Sequence, residues 1–324
     1  MQPSSLEKLT THLGDIKEEV FHKNAFVFTL NTGKKVCLDI KSGTSGFIDW
    51  GDNNHTMIYP HNLKFNKKTK LAQLYHTYKS VGSYTIMMDG DIELDFQRLD
   101  ITDIKQWGSI VIKNGHKLFL NCVNLDVTAS DSPDLSHTTD LSYMFAYCTK
   151  LGRSNFNWDV KHITNMKGMF RGCTAFNGDL SMWKTCSVTN MSNMFGECVK
   201  FNGDLSRWNT GSVTDMNGMF CGCYVFNGDL SRWNTDRVMD MNEMFSACYV
   251  FNSNLSRWNT SRVMDMRCMF LKCYKFNQDL SSWNITNVTD MVSMFWRCIS
   301  LKKLQDWNTE DVDTLDMYRD CNFD

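Results

Sequence analysis

Arg207, Arg232 and Arg257 stand 25 residues apart, and Arg237 and Arg262 make a second column at the same interval. Tyr224, Tyr249 and Tyr274 make a third. Guanidinium groups are planar, always charged and suited to carboxylates, and Arg and Tyr are enriched where protein interfaces concentrate their energy. These eight residues are therefore the candidate interaction site. The bland alternatives are copying of one repeat, which makes columns without selection, and charge balance against Asp204, Asp229, Asp215, Asp240 and Asp265.

Catalytic chemistry finds less support. The eight histidines, at 12, 22, 55, 61, 76, 116, 137 and 162, do not recur with the repeat. G-x-S-x-G, P-loop and H-E-x-x-H patterns are absent. Asp49, Asp52, Asp89 and Asp91 are oxygen donors of the kind calcium takes, though turn capping explains them more simply. Cys221-Gly-Cys223 has no His at zinc-ligand spacing. No enzyme activity, cofactor or metal is expected.

The columns ride on a repeat. Trp158, Trp183, Trp208, Trp233, Trp258 and Trp283 keep a 25-residue step, as do Phe170, Phe195, Phe220, Phe245, Phe270 and Phe295. Nine of the thirteen cysteines, at 122, 148, 173, 198, 223, 248, 273, 298 and 321, share one position. A fixed period of this length marks stacked units, each too small to bury its own apolar face. The Trp, Phe and Cys columns are thus the expected core, although a Trp column is also what a sugar-stacking ladder would look like. The thiols read as small buried hydrophobes, reduced rather than bridged.

Within the coil Phe201–Val225, the apolar residues Val213, Met216, Met219, Phe220 and Cys223 follow i, i+3, i+6, i+7, i+10. That spacing predicts about two helical turns. Asp204–Trp208 is the strand candidate, with Leu205 pairing in parallel to Leu180 and Leu230 about 4.8 Å away. A strand plus a helix per coil makes an α/β solenoid over residues 98–324. Irregular copies include Trp107, Phe119 and Cys122, then Phe145 and Cys148, and finally Trp307 with Tyr318 and Cys321. The count is about eight to nine coils, a rod roughly 40 Å long.

Residues 23–97 read as a small β-sandwich. Ala25–Leu30 and Lys35–Ile40 alternate across Asn31-Thr-Gly33, a hairpin signal, and Phe47–Trp50 and Tyr84–Met88 are further strands. Residues 1–22 carry a capping box, Ser4 to Glu7, and an apolar seam of Leu6, Leu9, Leu13, Ile16 and Val20. This is an amphipathic helix, docked on its own chain or on a partner.

Net charge is −2, which argues against nucleic acid. No 18-residue apolar run exists to span a membrane, and the N-terminus lacks the apolar core of a signal peptide.

Two stretches resemble known families. Asp49-Trp-Gly-Asp-Asn53 with His76-x-Tyr78 and Gly82-Ser-Tyr84 resembles the PKD-like β-sandwich. The coil, in its V-T-x-M-x-x-M-F-x-x-C and F-N-x-D-L-S-x-W form, resembles the BspA-type leucine-rich repeat of bacterial surface proteins. The resemblance covers residues 23–324 and implies a non-enzymatic scaffold or adhesion role. Such repeats also occur in large double-stranded DNA viruses. Without a secretion signal, the leading expectation is a structural or protein-interaction subunit of a larger assembly such as a virion, intracellular or virion-associated. The alternative is a surface adhesion module binding a host protein or glycan.

Overall fold

The computed structural model describes residues 24–323 apart from 42–44, 60, 62, 69–70, 92, 98, 153–155 and 304. The amphipathic seam of residues 4–21 lies outside the described residues. The chain divides into two compact units, one of residues up to 112 with 127–134, the other of 113–126 with 135–324.

The first unit is built of antiparallel strands: β1 (Phe26–Thr32), β2 (Lys35–Lys41), β3 (Ser45–Asp49), β4 (His55–Ile58), β5 (Leu71–Thr77), β6 (Gly82–Asp91), β7 (Leu94–Asp95) and β8 (Asp100–Gln106). A ninth short strand, β9 (Asp126–Val127), stands where the chain passes between units. The six-stranded sheet runs β4-β3-β6-β1-β8-β9 and the three-stranded sheet β5-β2-β7. Strand alternation holds: Phe26, Phe28 and Leu30 of β1 and Val36, Leu38 and Ile40 of β2 are buried. The expected β1–β2 hairpin does not form. β1 pairs with β6 and β8, while β2 pairs with β5 and β7, so Gly33 carries the chain from one sheet to the other.

The second unit corrects the α/β leucine-rich-repeat solenoid. The described residues contain no helical element and no continuous sheet in the repeats. Val213–Cys223 is a run of tight turns. Met219 N–H bonds Met216 O at 3.2 Å, Cys221 N–H bonds Gly218 O at 3.0 Å, and Cys223 N–H bonds Phe220 O at 2.9 Å. The intervening N–H groups leave the coil: Met216, Gly218, Phe220 and Gly222 donate to Asp240, Asn242, Met244 and Ser246 of the next repeat at 2.7–3.0 Å. Such alternation requires left-handed residues every four positions, and Gly218 (φ 56°) and Gly222 (φ 76°) supply them. Other repeats place Glu243 and Ala247, or Cys268 and Lys272, in the same strained conformation. A helix is impossible there, because alternate donors are committed to the neighbouring repeat.

Leu205 also carries no strand pairing. One parallel bridge per repeat instead links Asn165, Asn190, Asp215, Asp240, Asp265 and Asp290. The stack is held by these bridges, by inter-repeat hydrogen bonds and by aligned rings.

Candidate interaction face

The buried columns leave few groups for chemistry. Trp208, Trp233 and Trp258 are 3 % exposed, and their indole N–H groups donate to Leu180, Leu205 and Leu230 O of the preceding repeat at 3.0 Å. Trp158, Trp183 and Trp283 are equally buried. Rings enclosed and hydrogen-bonded in this way offer no face to a sugar. Phe170, Phe195, Phe220, Phe245, Phe270 and Phe295 stack at 5.5–5.9 Å within 10° of parallel.

The cysteine column has a role that spacing alone did not show. From Cys148 on, each thiol reaches back to the phenylalanine carbonyl of the preceding repeat: Cys198 Sγ to Phe170 O at 2.9 Å, Cys223 to Phe195 O and Cys298 to Phe270 O at 3.0 Å. An S–H donates in this geometry, so the proton must be present. Burial pushes these thiols well above the usual cysteine range, with the neighbouring column sulfurs adding to it. All thirteen cysteines are free.

Tyr224, Tyr249 and Tyr274 also stack on one another, at 4.7 and 5.1 Å. Their inner faces are therefore occupied, and the column presents edges and hydroxyls.

Arg207, Arg232, Arg257, Arg237 and Arg262 are exposed. None makes an ion pair among the described residues, whereas Arg171 pairs with Glu197 at 3.0 Å, Arg267 with Asp290 at 3.8 Å and Arg297 with Asp320 at 3.0 Å. Beside the first arginine column runs a carboxylate column of Asp179, Asp204 and Asp229, also exposed. Each accepts the N–H two residues on, from Ser181, Ser206 and Ser231, at 2.9 Å. Those serine hydrogen bonds hold the three carboxyls below the usual range, Arg207 and Arg232 assisting at Asp204 and Asp229. The aspartates are thus fixed in place, while the arginines three residues on remain available.

A second carboxylate column, on the bridge positions, is half-buried. Burial, opposed by the Asn242 N–H and reinforced by Asp215 and Asp265, raises Asp240 above the ordinary carboxylate range. A raised folded-state value means the native state favours the proton, so stability is gained as pH falls through that value and is lacking at neutral pH. Asp240→Asn, which keeps an acceptor for Asn242 as Asn190 does for Ser192, is expected to raise the melting midpoint at pH 7. The advantage should vanish once acid protonates the native aspartate. A variant melting lower than wild type at neutral pH would contradict this.

In the first unit, three of the four aspartates weighed for calcium accept nearby backbone N–H groups. Asp49 accepts Gly51 N–H at 2.8 Å, Asp52 accepts Asn54 N–H at 3.2 Å and Asp89 accepts Gly90 N–H at 2.8 Å. Asp52 also meets His76 Nε2 at 2.9 Å, and the His76 ring lies on Trp50 at 4.6 Å. Tyr78 donates to Trp50 O at 3.1 Å. The Trp50, Asp52, His76 and Tyr78 motif thus closes a fold element. Among the described residues no three His, Cys, Asp or Glu side chains are grouped to hold a metal, and no helix is long and apolar enough to cross a membrane.

A family model described as "Mycoplasma protein of unknown function, DUF285" matches residues 64–156, 85–181, 139–249 and 222–323. Together these segments run from 64 to 323 of 324 residues. The chain belongs to the DUF285 family. This corrects the BspA-type leucine-rich-repeat and PKD-like assignments: DUF285 accounts for the repeats, and its first match begins at residue 64, within the stretch read as PKD-like. No curated protein and no solved structure matches the chain.

Proposed function

We propose that this DUF285 chain is a non-enzymatic interaction protein, a subunit of a larger assembly that docks a carboxylate-bearing protein surface on its arginine columns. The observation that carries the reading is five exposed guanidinium groups that make no ion pair among the described residues, while other arginines of the same unit do. A repeat stack fixes their spacing, so little ordering cost remains for the backbone on binding. The glycan-binding alternative has weaker support, because the Trp158–Trp283 column is buried and the three tyrosines of the column stack on one another.

Arginine footprinting with phenylglyoxal tests the reading. Arg207, Arg232, Arg257, Arg237 and Arg262 should react readily in the dilute isolated chain and become protected in assemblies from its source. Equal reactivity of these five arginines in both states would move the contact elsewhere.

A further inference from the structure

The tyrosine column is confined to three successive repeats. Its position reads Thr149, Thr174, Val199, Tyr224, Tyr249, Tyr274 and Ile299. Tyr224 and Tyr249 stack with centroids 4.7 Å apart and planes 9° from parallel, and Tyr249 and Tyr274 at 5.1 Å and 19°. Tyr224 is 42 % exposed, and the other two rings are half-buried. Burial, then the flanking Tyr224 and Tyr274 phenols and a hydrogen bond with Tyr224, holds the Tyr249 hydroxyl above the usual tyrosine range. Hydroxyls that reach one another across a parallel stack point the same way, so the ring carbons beside them also lie over one another. The Tyr78 and Tyr84 rings of the first unit are closer, at 3.8 Å, but Tyr78 is enclosed and its hydroxyl donates to Trp50 O.

We propose that Tyr224, Tyr249 and Tyr274 form an oxidative cross-linking site, at which a one-electron oxidant of the peroxidase and hydrogen peroxide class joins neighbouring repeats through dityrosine. Each of two stacked phenols gives one electron to the oxidant and its hydroxyl proton to water. The two radicals couple by one new carbon–carbon bond between ring carbons ortho to the hydroxyls. The hydrogens on those carbons then move to the oxygens, restoring both phenols. The protein loses two hydrogens in all, and one peroxide becomes two waters. Coupling is favoured because the second ring is already in place, where free tyrosines must meet by diffusion. The neighbouring thiols compete poorly for the oxidant. Cys223, Cys248 and Cys273 are buried and donate to Phe195, Phe220 and Phe245 O, and thiol oxidation follows thiolate character and exposure. A link between residues 25 positions apart closes a loop in the unfolded chain, so it should stabilise the stack as a disulfide does. Tyr249 is the member of the column with a tyrosine on each side, so every link includes it.

Treating the dilute full chain with a peroxidase and hydrogen peroxide, then mapping tryptic peptides, tests this. Trypsin cuts between the members at Arg232 and Arg237 and at Arg257, Arg262 and Arg267, so a link joins two peptides. Native wild type should give dityrosine joining Tyr249 to Tyr224 or to Tyr274 within one chain. Tyr249→Phe keeps a ring in the stack and should lower the yield of linked peptides from this column by about tenfold or more. Tyr224→Phe should retain the link to Tyr274, and Tyr274→Phe the link to Tyr224. Thermal melts of the unoxidised variants report folding. Wild type unfolded in denaturant before oxidation should lose the preference for these pairs. Native wild type without either link, the same linkage pattern from the unfolded chain, or an equal yield of Tyr224 joined to Tyr274 in Tyr249→Phe would overturn the proposal.

Discussion

Phe220→Ala is expected to lower the stability of the repeat unit by about 3–5 kcal/mol, the range for truncating a large buried aromatic. Phe220 is fully buried. Its ring stacks on Phe195 and Phe245, each at 5.7 Å, and on Phe226 at 4.1 Å, with Trp233 at 6.2 Å. Truncation leaves a gap between two repeats that their backbones cannot close, because Phe220 N–H is bonded to Met244 O at 2.9 Å. Denaturant unfolding of the variant gives the number. A loss below about 1 kcal/mol would mean that the ring column does not hold the repeats together.

Gly51→Ala is expected to be a costly change in the first unit, with Gly33→Ala as its control. Gly51 has φ +75°, and a Cβ there would fall 2.3 Å from the Thr85 carbonyl oxygen of β6. The left-handed conformation alone costs about 1–2 kcal/mol for alanine, and the backbone of β6 must shift as well, giving a loss of about 3 kcal/mol. Gly33 has nothing within 4 Å of its would-be Cβ, so Gly33→Ala should change stability by less than about 1 kcal/mol. Equal melting of the two variants would contradict the close approach of Gly51 to β6.

Much of the core was legible. Residues that recur every 25 positions are those that must stack on their own copies, and the Trp, Phe and Cys columns are buried accordingly, with Cys321 at the end half-buried. The alternation of β1 and β2 was equally plain, but which sheet each strand joined depended on long-range pairing with β5 and β6, which an Asn-Thr-Gly turn does not encode. The helix reading failed for a physical reason. Consecutive i→i+3 turns also place apolar corners three apart, so Val213, Met216 and Met219 mimic helical spacing. A sequence hint did exist: Gly168 and Gly172, like Gly218 and Gly222, stand four apart where a helix has no use for glycine. The arginine columns were visible, but that they make no ion pair among the described residues was not, since that depends on where Asp204 and Asp229 are tied by Ser206 and Ser231.

The central claim is that the face of this chain which binds is separable from the columns which fold it. Arg207→Ser, Arg232→Ser and Arg257→Ser, made together, test it by native mass spectrometry of the assemblies entered by the chain, with a thermal melt alongside. Serine already fills this position at Ser282, which is exposed. The expected result is a melt shifted by no more than about 0.5 kcal/mol per site, as for exposed positions, together with loss of the assemblies. Assemblies of unchanged mass in the triple variant would contradict the claim.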